Sequence, residues 1–335
     1  WRPYQIDQAC RQVGKVANMK ILVADKFEQS GLDGLKALGA DVKFQPDLKD
    51  DALAAAAHET GAEILVVRGT KVPAEVMEGS SIKLVIRAGA GYNTIDVATA
   101  TKLGIQVANC PGKNSQAVAE LAFGLMLALD RHIVEAANDL RAGKWNKKEY
   151  SKAKGLFGRT LGLVGMGMIG KEVASRAKAF GMRLLVHSSW MSEDDARAFG
   201  VERATLDQIA ADSDIVSVHV SLRPETKGML TADFFSKMKE GACFINTSRA
   251  EVVDQAALES ELSKRRIRAG LDVFEGEPAT GEGEYSGSLR TLPNVICTHH
   301  IGASTDQAQE AVAEETVRIA AEFANSGRAP NVVNM

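Results

Sequence analysis

The feature that most constrains this chain is the regular alternation of short apolar segments with helical segments. The first series of apolar segments reads KILVAD, DVKFQ, EILVVR, KLVIRAG and IQVANC; the second reads TLGLVG, RLLVHS, DIVSVHV, ACFINTS, RAGLDVF and NVICTHH. Strands that are apolar on both faces and separated by helices are typical of parallel sheets with helical crossovers. The sequence therefore predicts two doubly wound α/β units.

Chain length and composition agree with two globular domains. The 335 residues exceed the size at which one hydrophobic core usually stops growing, and 45% hydrophobic with 25% charged residues is ordinary. The formal net charge of −3 argues against a nucleic-acid or membrane surface, because both need concentrated positive charge. No apolar run could span a membrane and no leading segment resembles a secretion signal, so we expect a cytoplasmic protein.

Two further features predict structure rather than chemistry. The four cysteines, Cys10, Cys110, Cys243 and Cys297, have no metal-ligand or redox spacing, so we expect reduced thiols and no metal site. The polar residues 1–18 predict an appended N-terminal arm.

Residues 115–145 predict one long helix. Its apolar residues cover most of the circumference, which indicates heavy burial, including at a contact between subunits. We therefore expect a homodimer.

The segment GLVGMGMIGKEVASRAKAFGMRLLVHSS has the order of strand, glycine loop, helix and second strand that a dinucleotide site needs. Gly165 would permit the tight turn, Gly167 the approach of a pyrophosphate, and Gly170 the close packing of helix on strand. Met168 and Ile169 begin the helix, whose N–H groups would hold the phosphates. The alternative is that these glycines serve only a turn, which the flanking strand and helix disfavour.

The end of the second strand decides which dinucleotide this loop accepts. An NAD site usually has a carboxylate there, about twenty residues after the glycines, which binds the ribose hydroxyl. This chain has VHSSW, with Ser188 in that position and no arginine or lysine beside it. A hydroxyl neither repels nor grips a 2′-phosphate, so NAD is favoured and NADP stays open.

Four segments in one order, GMGMIG, INTSRAEVVD, LDVFEGEP and HHIGAST, resemble the D-isomer-specific 2-hydroxyacid dehydrogenase family. The resemblance implies a Rossmann-type cofactor domain inserted into a flavodoxin-like substrate domain. We place the dinucleotide-binding domain at 113–302 and the substrate-binding domain at 1–112 with 303–335. The motifs VRGTKV, RAGAGYNTID, NSQAVAE and GKWNKKEY add a finer resemblance to D-3-phosphoglycerate dehydrogenases, in a short form without a C-terminal regulatory domain.

The resemblance also implies a catalytic trio. His300, directly before Ile-Gly, matches the family's acid–base histidine, a task that suits a side chain whose ordinary pKa is about 6.5. Glu277 matches the carboxylate that hydrogen-bonds this histidine, and Arg249 matches the arginine that pairs with the substrate carboxylate. His299 and Glu275 are interpreted as neighbours. Ordinary structural roles for the trio remain the alternative.

Further cofactor contacts follow from the same resemblance. Thr247 would line the nicotinamide ring, Asp272 would bind its carboxamide, and Thr226 would touch the phosphates. Asp272 could equally cap the end of a strand, and that alternative stays open.

Four residues would contact a small 2-hydroxy or 2-keto acid. Backbone N–H groups near Ala90 and Gly91 would bind its carboxylate. Arg68 resembles a phosphate-binding arginine, and Arg131 matches a basic position that in relatives reaches the site of a neighbouring subunit. Plain surface charge is the alternative for both arginines.

These observations leave three functions open. The first is NAD(P)-dependent oxidation of 3-phosphoglycerate to 3-phosphohydroxypyruvate, the first step of serine synthesis. The second keeps the enzyme class and takes glyoxylate, hydroxypyruvate or another 2-keto acid as substrate. The third is a dinucleotide-sensing binding protein of the same fold, which the intact trio disfavours.

Overall fold

The computed structural model describes residues 19–278 and 282–335, so the predicted arm at 1–18 lies outside the described residues. The chain divides into two compact units. Unit 1 comprises the residues up to Asn114 together with Ser304–Met335, and unit 2 comprises Ser115–Ala303. The functional domain limits given above stay a prediction. No helix of the described part is long and apolar enough to cross a membrane.

Unit 1 is built on a parallel sheet with the strand order β2-β1-β3-β4-β5. The strands are β1 (Lys20–Val23), β2 (Asp41–Phe44), β3 (Ile64–Val67), β4 (Leu84–Arg87) and β5 (Gln106–Asn109). The first helices are α1 (Gln29–Ala37), α2 (Asp50–Thr60), α3 (Ala74–Met77) and α4 (Val97–Lys102). All four residues of β3 are buried, because helices cover both faces of the sheet.

Unit 2 contains a second parallel sheet, with the order β12-β11-β10-β9-β6-β7-β8. Its strands are β6 (Thr160–Val164), β7 (Arg183–His187), β8 (Glu202–Arg203), β9 (Ile215–Val218), β10 (Cys243–Asn246), β11 (Arg268–Leu271) and β12 (Val295–Cys297). Its helices are α5 (Ser115–Arg131), α6 (Ile133–Arg141), α7 (Lys147–Tyr150), α8 (Met168–Ala179), α9 (Glu193–Phe199), α10 (Leu206–Asp212), α11 (Ala232–Lys237) and α12 (Gln255–Ser263). The last helix, α13 (Asp306–Ser326), belongs to unit 1.

The fold class predicted from the sequence, two doubly wound α/β units, is confirmed. In each sheet the strand order reverses beside the first strand of the unit, β1 in unit 1 and β6 in unit 2. Doubly wound sheets bind ligands outside the carboxyl ends of the strands at this switch point. The glycine loop directly follows β6, and Arg68 directly follows β3, the neighbour of β1. Both candidate binding segments therefore lie where the topology favours a site.

The prediction of one long helix at 115–145 is wrong. The helix α5 ends at Arg131, the next residue has a left-handed backbone with φ of +54° at His132, and α6 follows. A partner distant in sequence accompanies the break: the guanidinium of Arg268 donates to the Leu129 carbonyl and contacts the His132 ring. The pattern of residues 115–145 could not show this, because Arg268 stands at the start of β11.

The break also separates two different surfaces. Helix α5 is heavily buried and packs against α8, β10 and β11 of its own unit. Helix α6 has no buried residue. Within residues 115–145, the large apolar side chains that are exposed lie on α6 and just after it, namely Ile133, Val134, Leu140 and Trp145. The apolar character of α5 is therefore explained by the core of unit 2.

A buried carboxylate joins three segments of unit 1. Glu315 of α13 accepts a hydrogen bond from Arg318 Nη2 at 2.6 Å and another from Asn331 Nδ2 at 2.7 Å. The Lys113 ammonium lies 3.3 Å from the same carboxylate. These donors, Arg318 first, outweigh burial and lower the pKa of Glu315 to about 2. The segment before Asn114, helix α13 and the C-terminal segment are thus joined by one carboxylate that is charged at neutral pH.

Candidate active site

The glycine loop after β6 can be built only with glycine at two positions. Gly165 has a φ of +101°, and a Cβ there would lie 2.8 Å from the carbonyl carbon of His219. A Cβ on Gly170 would overlap the carbonyl oxygen of Gly165. Side chains at either position would push α8 away from the sheet, because neighbouring backbone cannot yield as a flexible side chain can. The roles predicted for these two glycines in turn and packing fit this geometry.

The start of α8 is open to a ligand. A Cβ built on Gly167 meets nothing within 4 Å, and Gly167 caps the helix without a side-chain hydrogen bond. The first-turn N–H groups of the helix, which begins with Met168 and Ile169, are therefore available to an anion, as at other phosphate-binding helix ends. Among the described residues the buried Thr247 hydroxyl has no hydrogen-bond partner either. These features fit a dinucleotide held by the loop and the start of α8.

The loop after β7, where the sequence predicts the ribose to bind, has a cation nearby that the sequence analysis missed. Ser188 directly follows β7 and is half-buried. Lys171, from α8, places its ammonium 5.1 Å from the ring centre of Trp190, two residues after Ser188. The sequence has no arginine or lysine next to Ser188 at the end of β7. The packing of α8 nevertheless brings Lys171 close to the loop that follows this strand. The sequence signal that could have identified Lys171 is its position directly after Gly170, the last glycine of the loop.

The two residues proposed as acid–base histidine and orienting carboxylate are in contact. The Nδ1 of His300 lies 2.8 Å from Glu277 Oε2, and the N–H of Phe274 donates to Glu277 Oε1 at 2.9 Å. The imidazole tautomer is inferred from this contact: with its proton on Nδ1, the ring keeps an accepting lone pair on Nε2. The His300 side chain is 52% exposed, so this nitrogen is accessible to a small molecule.

The charge on Glu277 is favoured by its surroundings. Burial raises the pKa of this carboxyl, but hydrogen bonds from His300 and from the Phe274 N–H, together with the nearby Arg249, lower it below its usual value. Arg249 follows β10 on a loop fixed by Asn246, whose side-chain amide donates to the Arg249 carbonyl at 3.0 Å. The structure therefore brings His300 and Glu277 into direct contact, and the charge of Arg249 is near enough to lower the pKa of Glu277.

The alternative carboxylate and histidine lie apart from this pair. Glu275 is exposed, and its backbone N–H is held by Gln255 Oε1 at 2.6 Å. His299 is exposed as well. The sequence motif preferred Glu277 and His300, and the hydrogen bond between them gives that preference a geometric basis.

Two other residues predicted to contact the cofactor use their polar groups within the protein. The Thr226 hydroxyl donates to the Ser221 carbonyl at 2.7 Å and accepts from the Arg223 N–H at 2.8 Å. Asp272 is 1% exposed, and its carboxylate binds the chain on both sides of His300. Cofactor contacts by Thr226 and Asp272 stay predictions.

The predicted substrate residues Arg68, Ala90 and Gly91 belong to unit 1. Arg68 begins a loop whose three consecutive N–H groups, at residues 68–70, donate to Asp25 Oδ2 at 2.6 to 3.0 Å. The Thr70 hydroxyl donates to Asp25 Oδ1 at 2.9 Å. This carboxylate fills the anion-binding concavity of the loop backbone, so an external anion would have to bind a side chain such as that of Arg68.

The backbone near Ala90 and Gly91 retains unused donors. The Asn109 side chain holds this loop by donating to the Ala90 carbonyl at 2.6 Å. Within the described ranges, the N–H groups of Ala90 and Gly91 donate no hydrogen bond. Two such N–H groups can bind a carboxylate, as predicted. Arg131 is exposed at the end of α5, immediately before the break at His132.

Comparison with known proteins places a family domain on unit 2. The family model described as D-isomer specific 2-hydroxyacid dehydrogenase, NAD binding domain, matches residues 123–302. The E. coli D-lactate dehydrogenase structure superposes with a TM-score of 0.81 at 28% identity, covering 94% of this chain and all of that one. The family model, an NAD binding domain, confirms NAD as the cofactor favoured from the sequence.

Curated relatives have two kinds of name. A hydroxypyruvate reductase of Thermotoga maritima is 45% identical over 76% of this chain and 82% of its own length. A D-3-phosphoglycerate dehydrogenase of Methanocaldococcus jannaschii is 38% identical over 95% of this chain. The chain spans 60% of the length of that dehydrogenase.

Proposed function

The chain belongs to the D-isomer specific 2-hydroxyacid dehydrogenase family, and on that premise we propose that it interconverts 3-phosphoglycerate and 3-phosphohydroxypyruvate. The coarser activity, NAD-dependent oxidation or reduction at the 2-carbon of a D-hydroxy acid, follows from the family. The phosphorylated substrate is the specific part of the proposal.

The trio in unit 2 supplies the groups that this chemistry needs. His300 Nε2 takes the hydroxyl proton when a 2-hydroxy acid is oxidised and returns it in reduction. The Glu277 carboxylate holds Nδ1 and stabilises the imidazolium that this transfer creates. Arg249 pairs with the substrate carboxylate and polarises the carbonyl. A bound nicotinamide supplies the hydride acceptor or donor.

The Arg68 loop is the observation that carries the choice of a phosphorylated substrate. Asp25 fixes the loop backbone, yet the Arg68 guanidinium forms no hydrogen bond or ion pair with any described residue. An arginine held on a rigid loop without an internal partner is suited to bind a phosphate bidentately. The carboxylate of the same substrate would bind the N–H groups of Ala90 and Gly91.

A second candidate is reduction of hydroxypyruvate or glyoxylate. The observation in its favour is the Thermotoga relative named hydroxypyruvate reductase, whose length this chain largely covers. In this case Arg68 would face solvent and make no contribution to substrate selection. A dinucleotide-sensing role without catalysis is disfavoured, since the His300–Glu277 pair is assembled.

We also propose a homodimer in which α6, rather than α5, carries the contact. The exposed apolar side chains of α6 and of Trp145 have no covering element within unit 2 in the described chain. Arg131, two residues before the start of α6, would then lie near the partner subunit. Sedimentation equilibrium should give twice the chain mass, and a monomer at micromolar concentration would contradict the dimer.

The substrate proposal is tested by a panel of keto acids. Phosphohydroxypyruvate, hydroxypyruvate, glyoxylate and pyruvate are each supplied with NADH and with NADPH, and cofactor oxidation is followed by absorbance. We expect rapid oxidation with phosphohydroxypyruvate and little with hydroxypyruvate. Equal kcat/KM values for these two compounds would defeat the phosphorylated substrate and favour the reductase.

A further inference from the structure

Asp272 binds the chain on both sides of the proposed catalytic histidine. This residue directly follows β11 and is 1% exposed. Its Oδ1 accepts hydrogen bonds from the Thr298 hydroxyl at 2.6 Å and from the Ile301 N–H at 2.9 Å. Its Oδ2 accepts from the Gly302 N–H at 2.8 Å. One buried carboxylate thus organises residues 298–302.

The segment that Asp272 holds contains an unusual backbone conformation. His300 has a φ of +54°, in the left-handed region that residues with a side chain seldom adopt. Such a conformation persists only where the surroundings enforce it. The two peptide N–H groups that follow His300 are the ones bound to Asp272, so their positions fix the direction in which the chain leaves this residue.

We propose that Asp272 is a positioning residue that holds His300 in this conformation, so that its ring meets Glu277. The inference rests on the proposed acid–base role of His300. It gives Asp272 a task in addition to the nicotinamide contact that the family resemblance implies, which stays a prediction. A carboxylate offers about four lone-pair sites, and three are already used by the chain.

The variants Asp272→Asn and Thr298→Val weaken the clamp in different ways. The first replaces an accepting oxygen by an NH₂ group that faces a backbone N–H. The second removes the hydroxyl donor without changing any charge, and Thr298→Ser restores that donor. Asp96→Asn in unit 1 is the matched control, because Asp96 also accepts from a backbone N–H and a threonine hydroxyl.

We expect Asp272→Asn to lower kcat with the best keto acid of the panel by about 10- to 100-fold, the usual cost of a misplaced catalytic group. Thr298→Val should lower kcat by several-fold, and Thr298→Ser should stay near wild type. The NADH dissociation constant, read from nicotinamide fluorescence, should stay within about threefold in every variant. Hydrogen-exchange mass spectrometry should show faster exchange in peptides covering Ile301 and Gly302 in Asp272→Asn only.

Two results would overturn the inference. A tenfold loss of NADH affinity in Asp272→Asn, with kcat preserved and Thr298→Val silent, would indicate carboxamide binding instead. Unchanged exchange at Ile301 and Gly302 would show that no clamp exists. The exchange measurement needs neither substrate nor cofactor, so its outcome is separate from that of the proposed function, which fails if His300→Ala keeps full turnover.

Discussion

Two carboxylates, Glu277 in unit 2 and Glu315 in unit 1, have lowered pKa values for different reasons. Glu315 is held by Arg318, Asn331 and Lys113, and its side chain is 7% exposed. Glu277 is 28% exposed, and its main partner is His300, a side chain that can gain or lose a proton. Perturbed pKa values occur both at functional sites and in structural ion-pair networks. The lowered pKa is common to both carboxylates and does not separate their roles. The hydrogen-bond partner does: a titratable histidine suits Glu277 to catalysis, and fixed cations and an amide suit Glu315 to stabilising the fold.

The largest expected effect is the loss of kcat when His300, the partner of Glu277, is replaced. His300→Ala should lower kcat by at least 100-fold, since general acid–base catalysis contributes about 10²- to 10⁴-fold. NADH binding should persist, because the glycine loop is untouched. Steady-state kinetics and fluorescence titration measure the two quantities. The control is His299→Ala. Similar losses of kcat in both variants would contradict the assignment of His300 as the acid–base residue.

The next effect separates the two carboxylates by stability. Glu315→Gln should reduce the free energy of unfolding by roughly 3 kcal/mol at pH 7, estimated from the pKa lowering. The contribution is complete above the unfolded pKa near 4.5 and disappears as the pH falls through about 2. Urea unfolding between pH 7 and pH 3 measures it. Compared with Glu315→Gln, Glu277→Gln should lower the free energy of unfolding less and kcat more. The opposite ranking would assign the structural role to Glu277 and the catalytic role to Glu315.

A smaller effect tests whether unit 1 also selects the substrate. Arg68→Ala should lower kcat/KM for phosphohydroxypyruvate by about tenfold or more, since a charge-assisted hydrogen bond contributes about 1.5 to 3 kcal/mol. Hydroxypyruvate should be affected less than twofold. The exposed neighbour Lys71 provides the control variant Lys71→Ala. Equal losses on both keto acids would show that no phosphate contact is made by Arg68.

The smallest effect concerns the choice of cofactor in unit 2. Ser188→Asp should reduce kcat/KM for NADPH relative to NADH by about fivefold or more, because a carboxylate binds the ribose hydroxyls and repels a 2′-phosphate. Ser189→Asp is the control on the adjacent residue. An unchanged ratio of kcat/KM values for NADPH and NADH in Ser188→Asp would show that the ribose does not bind beside Ser188.

Much of the fold could be predicted because buried parallel strands leave a strong local signal. In the described part of the chain, all five strands of unit 1 and six of those in unit 2 coincide with the apolar segments quoted from the sequence. The strand β8 was missed, since its two residues, Glu202 and Arg203, are exposed and carry no apolar pattern. The break at His132 was missed as well, because Arg268, which contacts it, is distant in the chain.

The sequence by itself determined which chemical groups are present and where each stands relative to a strand. The sequence predicted the glycines after β6, the arginine after β10 and the histidine after β12, because local patterns of apolar residues indicate where each strand ends. Only the tertiary structure decided which of these groups meet. The pairing of His300 with Glu277, the attachment of Asp272 to the segment around His300, and the approach of Lys171 to Trp190 all join separate segments. Hydrogen bonds and charges act over a few ångströms, and folding alone brings residues that are distant in sequence within that range.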